Sequence, residues 1–540
     1  MFKKYKLYIV GTMLVSMLFV PSCDLEEQIL DEYTDETVQS DPNLLQNILA
    51  VPLAHLRKYW WRQRIWGLME TTTDEAFFPT RGNDWFDGGV WQEDYTHTWT
   101  PTHRDVVDTW NDLNSSISAA NTALLNLGEE KPDDAEYLWT YRAQAKFLRT
   151  FFEYYLFDLY RKYPGRDPFN LDFLTPPTIY EGETGFYRMV SLVKSILPDM
   201  KDRTYVPTPN IDEYKKAEYG EPDIDAGLML LAKLYLNKEV YIGVPGYDSC
   251  LIYLNRLMDR GNYGLANNYF AMFEVDNNTR FMQADDEAIL VAVFSDAAEY
   301  GNDNKVIWVR HSFHYNQDFD GNAPSNWNGV ATTNGYLQEN WIAGTDTATD
   351  SRWVDSVHYD VFGAVLGFNY GQQYDVEGTA LQDRNGNPLN YTFECNYDDA
   401  TEYEGVRVLK YSPRESVIYP NLVENDYIIW RYADALLMQA ECLIRDQDDE
   451  AGAFAIVNQI REKRGAPLLT SSDDMLYKIY VERALELYWE GHRRQDMIRF
   501  GTFLDPKTSK DWTSPETALI LPIPQSAIDG TKGLDQNPGY

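Results

Sequence analysis

Cysteine is scarce in this sequence, with four residues among 540 and no C-x-x-C pair. Disulfide-rich secreted domains and structural zinc sites both need paired cysteines, so the sequence argues against either framework. Basic residues are also few, because 47 Lys and Arg stand against 84 Asp and Glu, for a formal net charge of −37. Such a field repels phosphate polymers, so we expect no nucleic-acid partner, and strongly anionic ligands are disfavoured as well.

Catalytic signatures are missing too. The sequence contains no serine elbow, no phosphate-binding loop and no zinc-ligand motif. We therefore expect no enzyme activity, no metal and no cofactor.

The N-terminus has the pattern of a secretory signal. A basic start precedes an apolar run of 14 residues, Leu7 to Val20, which is shorter than the roughly 20 residues that span a bilayer. The following VPSC resembles a lipobox, so residues 1–22 are predicted to be removed and Cys23 to carry a lipid anchor. Cleavage at another small residue, with Cys23 discarded or free, is the alternative. Residues 23–40 are polar and would tether the lipid to one folded domain, 41–540.

Aromatic residues are unusually abundant, at 14% of the chain with 15 Trp and 39 Tyr. A helical core does not need so many. Trp and Tyr each combine a flat apolar face with a polar edge, which suits the C–H faces and hydroxyls of a sugar ring. The composition therefore favours a carbohydrate ligand.

Hydrophobic residues recur at three- and four-residue spacing in two blocks of the chain. The pattern predicts helices over residues 108–127, 134–160, 225–241, 247–260, 427–445, 449–464 and 473–490. Successive antiparallel helix pairs are typical of tetratricopeptide-like packing, although no clean repeat of about 34 residues is present. We therefore predict a mainly α fold with a tetratricopeptide-like scaffold of helical pairs.

Two loop-rich insertions interrupt this scaffold, at about residues 79–101 and 295–425. Both are rich in Asn, Gly, Asp and aromatic residues, with turn signals and short alternating runs, so they are predicted as loops and short strands. Long aromatic loops on a rigid scaffold are a common way to build a recognition face.

Five stretches of the chain have the character of family motifs. They are the lipobox with its acidic start, YRAQAKFLRTFFEYYLFDLYRKYP (141–164), NDYIIWRYADALLMQAECL (425–443), ERALELYWEGHRRQDMIRFG (482–501) and LPIPQSAIDGTKGLDQNPGY (521–540). In this order they resemble the motifs of the SusD-like (RagB/SusD) outer-membrane lipoproteins of Bacteroidota. Ala527 and Gly530-Thr531, which are expected in a terminal loop, depart from the usual pattern.

The resemblance implies a surface glycan-binding protein without catalysis. Family members fold as a tetratricopeptide-like scaffold under a variable loop face and sit as lids on a SusC-like, TonB-dependent transporter, to which they deliver captured oligosaccharides. The resemblance thus implies a lipid-anchored outer-membrane protein that is exposed on the cell surface. Its implied partners are a neutral glycan and the SusC-like transporter. Within the motifs, Arg149, Glu486 and Arg493 are implied to form buried ion pairs between helices.

The segment PTRGNDWFDGG is the best candidate for a ligand-binding loop. Its three glycines, Asn and two Asp cannot form a regular element, so Trp85 and Phe86 are predicted on an exposed turn, where a ring can stack on a sugar. Arg81, Asn83 and Asp84 stand beside the rings to bond hydroxyls. In the alternative, Trp85 folds inward and plugs the loop onto the helices.

Four further residues are candidates for ligand contact. Trp327 follows the same logic in the second insertion, and Tyr315 lies just before it, with packing as the alternative role. Asp41 and Asn43 open the first helix after the tether, where Asp41 can equally serve as a helix cap.

Two motifs imitate metal sites. Residues 383–394 have the Asp, Asn, Asn and Glu spacing of a calcium loop, but Pro388 stands at the sixth position, where a positive φ is needed, so a hairpin is predicted. His311 and His314 would share one side only on a helix, whereas their surroundings are predicted as strand.

Two other functions stay open at this stage. A glycoside hydrolase needs only two carboxylates about 5 to 10 Å apart, and 84 acidic residues provide such pairs by chance. A peptide-binding or purely structural helical-repeat adaptor would use the loop aromatics for peptide contact or for packing.

Overall fold

A computed structural model describes residues 42–60, 62–170, 172, 174–294, 312–317, 326–355, 364–375, 377–411 and 425–540. The predicted signal, the tether with Cys23, Asp41 and His311 lie outside these ranges. Asn43 lies within the first helix, although its side chain is not among the described ones.

Helices are the main regular element of the described chain, as predicted. In chain order they are α1 (Pro42–Ala54), α2 (Ile65–Glu70), α3 (Val90–Thr96), α4 (Arg104–Leu127), α5 (Glu136–Tyr160), α6 (Gly182–Ile196), α7 (Ile224–Leu236), α8 (Lys238–Ile242), α9 (Tyr247–Met258), α10 (Asn334–Tyr336), α11 (Tyr432–Gln447), α12 (Glu450–Lys463), α13 (Met475–Leu487), α14 (Arg493–Arg499) and α15 (Gln525–Gly530). None of the helices in the described ranges is both long and apolar enough to cross a membrane.

Neighbouring helices pack in pairs, which confirms the tetratricopeptide-like scaffold. α4 packs along α5, α7 along α9, and α11 along α12. α5 is buried on nearly every face because α1, α4, α6 and α7 all contact it. Two of these helices begin with an aspartate N-cap. The Asp223 carboxylate accepts the Ala226 N–H at the start of α7, and the Asp449 carboxylate accepts the Gly452 N–H at the start of α12.

Two sequence predictions for the scaffold are wrong in detail, and one helix was not predicted. The predicted helix at 427–445 begins as a strand, because YIIWR at 427–431 is buried throughout and pairs with another strand before α11 starts. The predicted helix at 225–241 is interrupted at Asn237, whose φ of −92° and ψ of 7° end α7 before α8 begins. The sequence reading also missed α6, although its apolar residues face the core.

Short strands join the insertions to the scaffold. They are β1 (Ala76–Phe77), β2 (Lys162–Gly165), β3 (Thr178–Glu181), β4 (Ala288–Ala292), β5 (Ala331–Thr332), β6 (Val354–Asp355), β7 (Leu366–Asn369), β8 (Gly371–Gln372), β9 (Asn390–Tyr391), β10 (Arg407–Leu409) and β11 (Tyr427–Arg431). All pairings among them are antiparallel: β1 with β5, β2 with β3, β4 with β11, β8 with β9, and β7 between β6 and β10. The β1–β5 pair ties the segment directly before the first insertion to the second insertion.

A buried charge network centred on Glu486 lies inside the scaffold. Its carboxylate bonds Arg431 and Arg464 at 2.7 Å each and Arg352 at 3.0 Å, and all four side chains are fully buried. Burial alone would raise the pKa of Glu486, but the three guanidiniums hold it well below its usual range. The predicted buried ion pairs of Glu486 are thus confirmed, although its partners lie at the end of β11 and in turns and not on other helices.

The predicted ion pairs of Arg493 and Arg149 differ in how well the structure supports them. Arg493 binds both carboxylate oxygens of Asp74 at 2.7 Å, which confirms a buried pair, although Asp74 lies between α2 and β1 and not on a helix. Arg149 lies 3.8 Å from Glu153, four residues along its own helix. The prediction that Arg149 forms an ion pair between helices is therefore wrong, because the nearest carboxylate is on the same helix.

Candidate functional site

The first insertion begins with a tight turn. The backbones of Arg81 and Asp84 bond each other in both directions, at 2.9 and 3.0 Å, around Gly82 and Asn83. Gly82 has a φ of +62°, which glycine adopts without steric cost. Trp85 also has a φ of +62°, an unusual conformation for a bulky residue that persists only where the surroundings enforce it.

Trp85 is held by its surroundings. Only 9% of the side chain is exposed, its indole Nε1 donates to the Trp327 carbonyl at 2.7 Å, and its ring stacks on Phe78 with 4.9 Å between centroids. The Arg62 guanidinium lies over both Trp85 and Trp327, 5.6 and 5.4 Å from their centroids. The prediction of an exposed Trp85 is therefore wrong, and the inward-facing alternative is confirmed, because packing buries more of this ring than a loop tip would.

Phe86 and Asn83 remain accessible on the same loop. The Phe86 side chain is 54% exposed, and Asn83 is also exposed at the turn. The neighbouring rings thus take opposite directions, with Trp85 fixing the loop and Phe86 facing outwards. Phe86, predicted on the exposed turn together with Trp85, is confirmed there.

Asp84 connects the first insertion to the second. Its Oδ2 accepts a bond from the Tyr315 hydroxyl and another from an Arg384 guanidinium N–H, each at 2.8 Å. The Arg384 guanidinium also lies 4.2 Å from the centroid of the Tyr315 ring. Burial, followed by the bond to Asp84, raises the pKa of Tyr315, so its hydroxyl stays protonated at neutral pH. The fold therefore brings together Asp84 and Tyr315, two of the residues predicted to contact the ligand.

Glu402 fixes the position of Arg384 and also contacts His314. One carboxylate oxygen bonds Arg384, and the other lies 2.9 Å from Nε2 of His314. Burial is the largest influence on the pKa of His314 and lowers it, against the opposing effect of Glu402. The Arg384 side chain remains 48% exposed, so it presents N–H donors to solvent while its orientation is fixed.

Sequence reasoning missed Arg384 and Glu402. Arg384 lies in the segment that imitates a calcium loop, where Asp383 accepts the backbone N–H groups of Asn385 and Asn387 at 2.8 Å each. This turn lies between β8 and β9, which confirms the predicted hairpin. A basic residue directly before the NGNP turn was the available signal for Arg384.

Arg81 does not face the ligand side. It is 3% exposed, and its guanidinium donates to the backbone carbonyls of Thr401 and, at 2.8 Å, Glu404. The prediction that Arg81 bonds ligand hydroxyls is wrong, because these carbonyls use its donors to join the two insertions.

The other candidates have mixed positions. Trp327 is half-buried, with its ring centroid 6.3 Å from that of Trp85. Asp41 lies outside the described residues, and Asn43 is near the start of α1, so their predicted ligand contacts stay predictions. Among the side chains that the structure describes, no group of three or more His, Cys, Asp or Glu is arranged to hold a metal ion.

The geometry defines what we call the ligand face, formed by Asn83, Asp84, Phe86, Tyr315, Trp327 and Arg384. It combines an exposed apolar ring with fixed donors and acceptors. Such a combination can stack against one face of a sugar while bonding its hydroxyls.

Comparison with known proteins identifies relatives along most of the chain. Residues 286–540 match the model of the SusD family. The starch-binding protein SusD of Bacteroides thetaiotaomicron is 25% identical over 525 residues, covering 88% of this chain and 86% of that protein. The SusD-like protein P38 of Formosa agariphila is 36% identical over 110 residues, which cover 18% of this chain and 21% of that protein.

Solved structures share the fold. A laminarin-binding SusD-like protein has a TM-score of 0.66 at 20% identity, over 92% of this chain and 99% of that one. A SusD superfamily protein from Parabacteroides distasonis has a TM-score of 0.66 at 19% identity, over 94% of this chain and all of that one. The family match over residues 286–540, the relatives and this fold confirm the resemblance to the SusD family that the sequence motifs predict.

Proposed function

We propose that this protein binds a neutral oligosaccharide or polysaccharide at the ligand face and is not an enzyme. The relatives named above as starch-binding and laminarin-binding support this proposal. The observation that carries it is the exposed Phe86 ring on the same short loop as Asp84, whose carboxylate orients Tyr315 and Arg384. Stacking gives such a face affinity for any pyranose, and the fixed polar groups select the hydroxyl pattern.

Binding to a polysaccharide panel tests the function. The mature protein would be run in affinity gels containing starch, laminarin, fructan or xylan, and retardation by at least one neutral glycan is expected. Thin-layer analysis of oligosaccharides after incubation separates binding from hydrolysis, since a binding protein leaves them intact. Release of shorter products would establish the hydrolase alternative. Retardation by none would favour the adaptor.

We also propose that Cys23 anchors the protein to the outer membrane, exposed on the cell surface, as a lid on a SusC-like TonB-dependent transporter. The lipobox sequence and the match of residues 286–540 to the SusD family support this proposal. A lid that delivers cargo needs a channel beneath it, so we expect the protein to copurify with a large β-barrel protein after gentle detergent extraction. Mass analysis that finds a lone species would contradict the partnership.

A further inference from the structure

A cavity lies on the helical scaffold, apart from the ligand face. It has a volume of about 640 Å³ and is bounded by α5, α6, the β2–β3 hairpin and the loop residues 166–170. Ligand sites commonly have volumes of about 300 to 1,000 Å³. A smaller cavity of about 390 Å³ adjoins it and shares Arg166, Pro176 and Pro177 with it. Neither cavity includes a residue of the ligand face.

The deep wall of the larger cavity carries excess positive charge. Arg188 donates to Glu153 at 2.6 Å, and Arg149 Nε lies 3.8 Å from the other oxygen of the same carboxylate. Glu153 is 1% exposed, so two guanidiniums share one buried anion. The remaining charged residues of the wall lie at its exposed or half-buried rim, where water screens them: Glu129, Glu130, Lys146, Arg166 and Asp167.

Arg149 has unused hydrogen-bonding capacity. It is 8% exposed and donates from Nη1 to Asn121 at 3.3 Å, but its Nε has no hydrogen-bond partner within the described part of the chain. Buried polar groups are almost always bonded in folded proteins. An acceptor that entered the cavity would satisfy this donor, and a planar carboxylate matches the fork of a guanidinium.

A flat aromatic surface lies beside the arginines. The Arg188 guanidinium is 4.5 Å from the centroid of the Tyr180 ring, which also stacks on Tyr163 at 5.4 Å. The Tyr180 ring packs directly against Gly165, where an added Cβ would lie 2.5 Å from the Cε2 atom of Tyr180. The absence of a side chain at Gly165 thus allows Tyr180 its position in the cavity wall.

We propose that this cavity binds one uronic-acid residue, with its carboxylate on Arg149 and Arg188 and its ring against Tyr180. The inference rests on the proposed glycan-binding function and adds an acidic sugar at a second site. The net charge of −37 does not oppose it, because the screening length of about 8 Å at physiological salt lets the local arginines dominate inside the cavity.

Calorimetric titration of the mature protein with glucuronic acid, glucose and sodium sulfate tests the proposal. We expect glucuronic acid to bind at least tenfold more tightly than glucose or sulfate, and Arg149→Gln to weaken it at least tenfold. If sulfate binds as well as glucuronic acid, or if Arg149→Gln changes nothing in a folded protein, the proposal is overturned.

A second variant keeps the test valid if Arg149→Gln does not fold. Asn121 is a half-buried residue of α4 whose side-chain oxygen accepts a hydrogen bond from Arg149. Asn121→Asp places a carboxylate at this position and is expected to lower the affinity for glucuronic acid at least tenfold. The matched control is Asn126→Asp, which adds the same charge at an exposed position of α4 outside both cavities. Equal effects of the two variants would overturn the proposal.

Neutral-glycan binding, measured on the same samples, separates this proposal from the proposed function. Retained starch or laminarin binding together with absent glucuronic-acid binding overturns the second site alone. If the wild-type protein binds no neutral glycan, the proposed function is overturned instead.

Discussion

At the scale of single residues, Trp85 and Phe86 show how neighbours divide stability from recognition. We expect Trp85→Ala to lower the free energy of unfolding by about 3 to 5 kcal/mol, because it opens a cavity among Phe78, Trp91 and Trp327. Denaturant unfolding measures this loss. Trp85→Phe keeps a ring on Phe78 and removes the bond to the Trp327 carbonyl, so it should cost about 1 kcal/mol. A fully stable alanine variant would contradict the buried role.

Phe86→Ala should have the opposite result. A stacking ring is worth about 1 kcal/mol beyond its buried area, so we expect a loss of glycan affinity of about tenfold with the melting temperature nearly unchanged. Calorimetric titration with whichever polysaccharide the panel identifies, beside a thermal melt, measures both quantities. Tyr187→Ala, which removes a ring that is 45% exposed on α6, is the matched control and should bind like the wild type. Equal losses in both variants would argue against the ligand face.

At the scale of elements, α13 is joined to its surroundings through Glu486. Glu486→Gln leaves three buried guanidiniums short of an anion, so we expect the free energy of unfolding to fall by about 3 to 5 kcal/mol. Glu462→Gln, at an exposed position on α12, is the control and should stay within about 0.5 kcal/mol of the wild type. Chemical denaturation of the two variants measures the difference, and equal stability would exclude the structural role.

The same residue predicts a pH dependence. The folded-state pKa of Glu486 is depressed below its unfolded value of about 4.3. The stability that Glu486 contributes is therefore complete above that value and is lost as the pH falls through the folded-state pKa. The difference in melting temperature between wild type and Glu486→Gln should be constant from pH 6 to 8, given that both pKa values lie below this window, and should shrink in acid. A difference that grows in acid would have the wrong sign.

At the scale of the whole molecule, the anchor decides where the protein works. Cys23→Ala removes the only acylation site of the predicted lipobox, so we expect the variant in the soluble fraction or at the wrong membrane. Fractionation followed by surface protease treatment of intact cells measures this. Full retention of the variant with outer membranes, and wild-type protease sensitivity, would contradict the anchor. Replacing the buried Cys250 by Ala controls for thiol loss without touching the lipobox.

The helical class, the main helix positions and the location of the loops could be predicted from the amino-acid sequence. These depend on local signals: the bounds of α5 and α9 follow apolar periodicity, and the NGNP turn follows the backbone preferences of its residues. The family motifs likewise identified Glu486 and Arg493 as buried. Where local and tertiary preferences conflict, the prediction was wrong, as at 427–431, which pairs with β4 instead of extending α11.

Tertiary structure alone decided which aromatic ring is buried and which charged groups meet. Trp85 and Phe86 are adjacent in the same turn-forming segment, and only the shape of the surface formed by Phe78, Trp91 and Trp327 selects the first for burial. Asp84 and Arg384 are separated by 300 residues of chain, so no local pattern could pair them. Contacts between distant segments depend on how the whole chain packs, and the ligand face is built from such contacts.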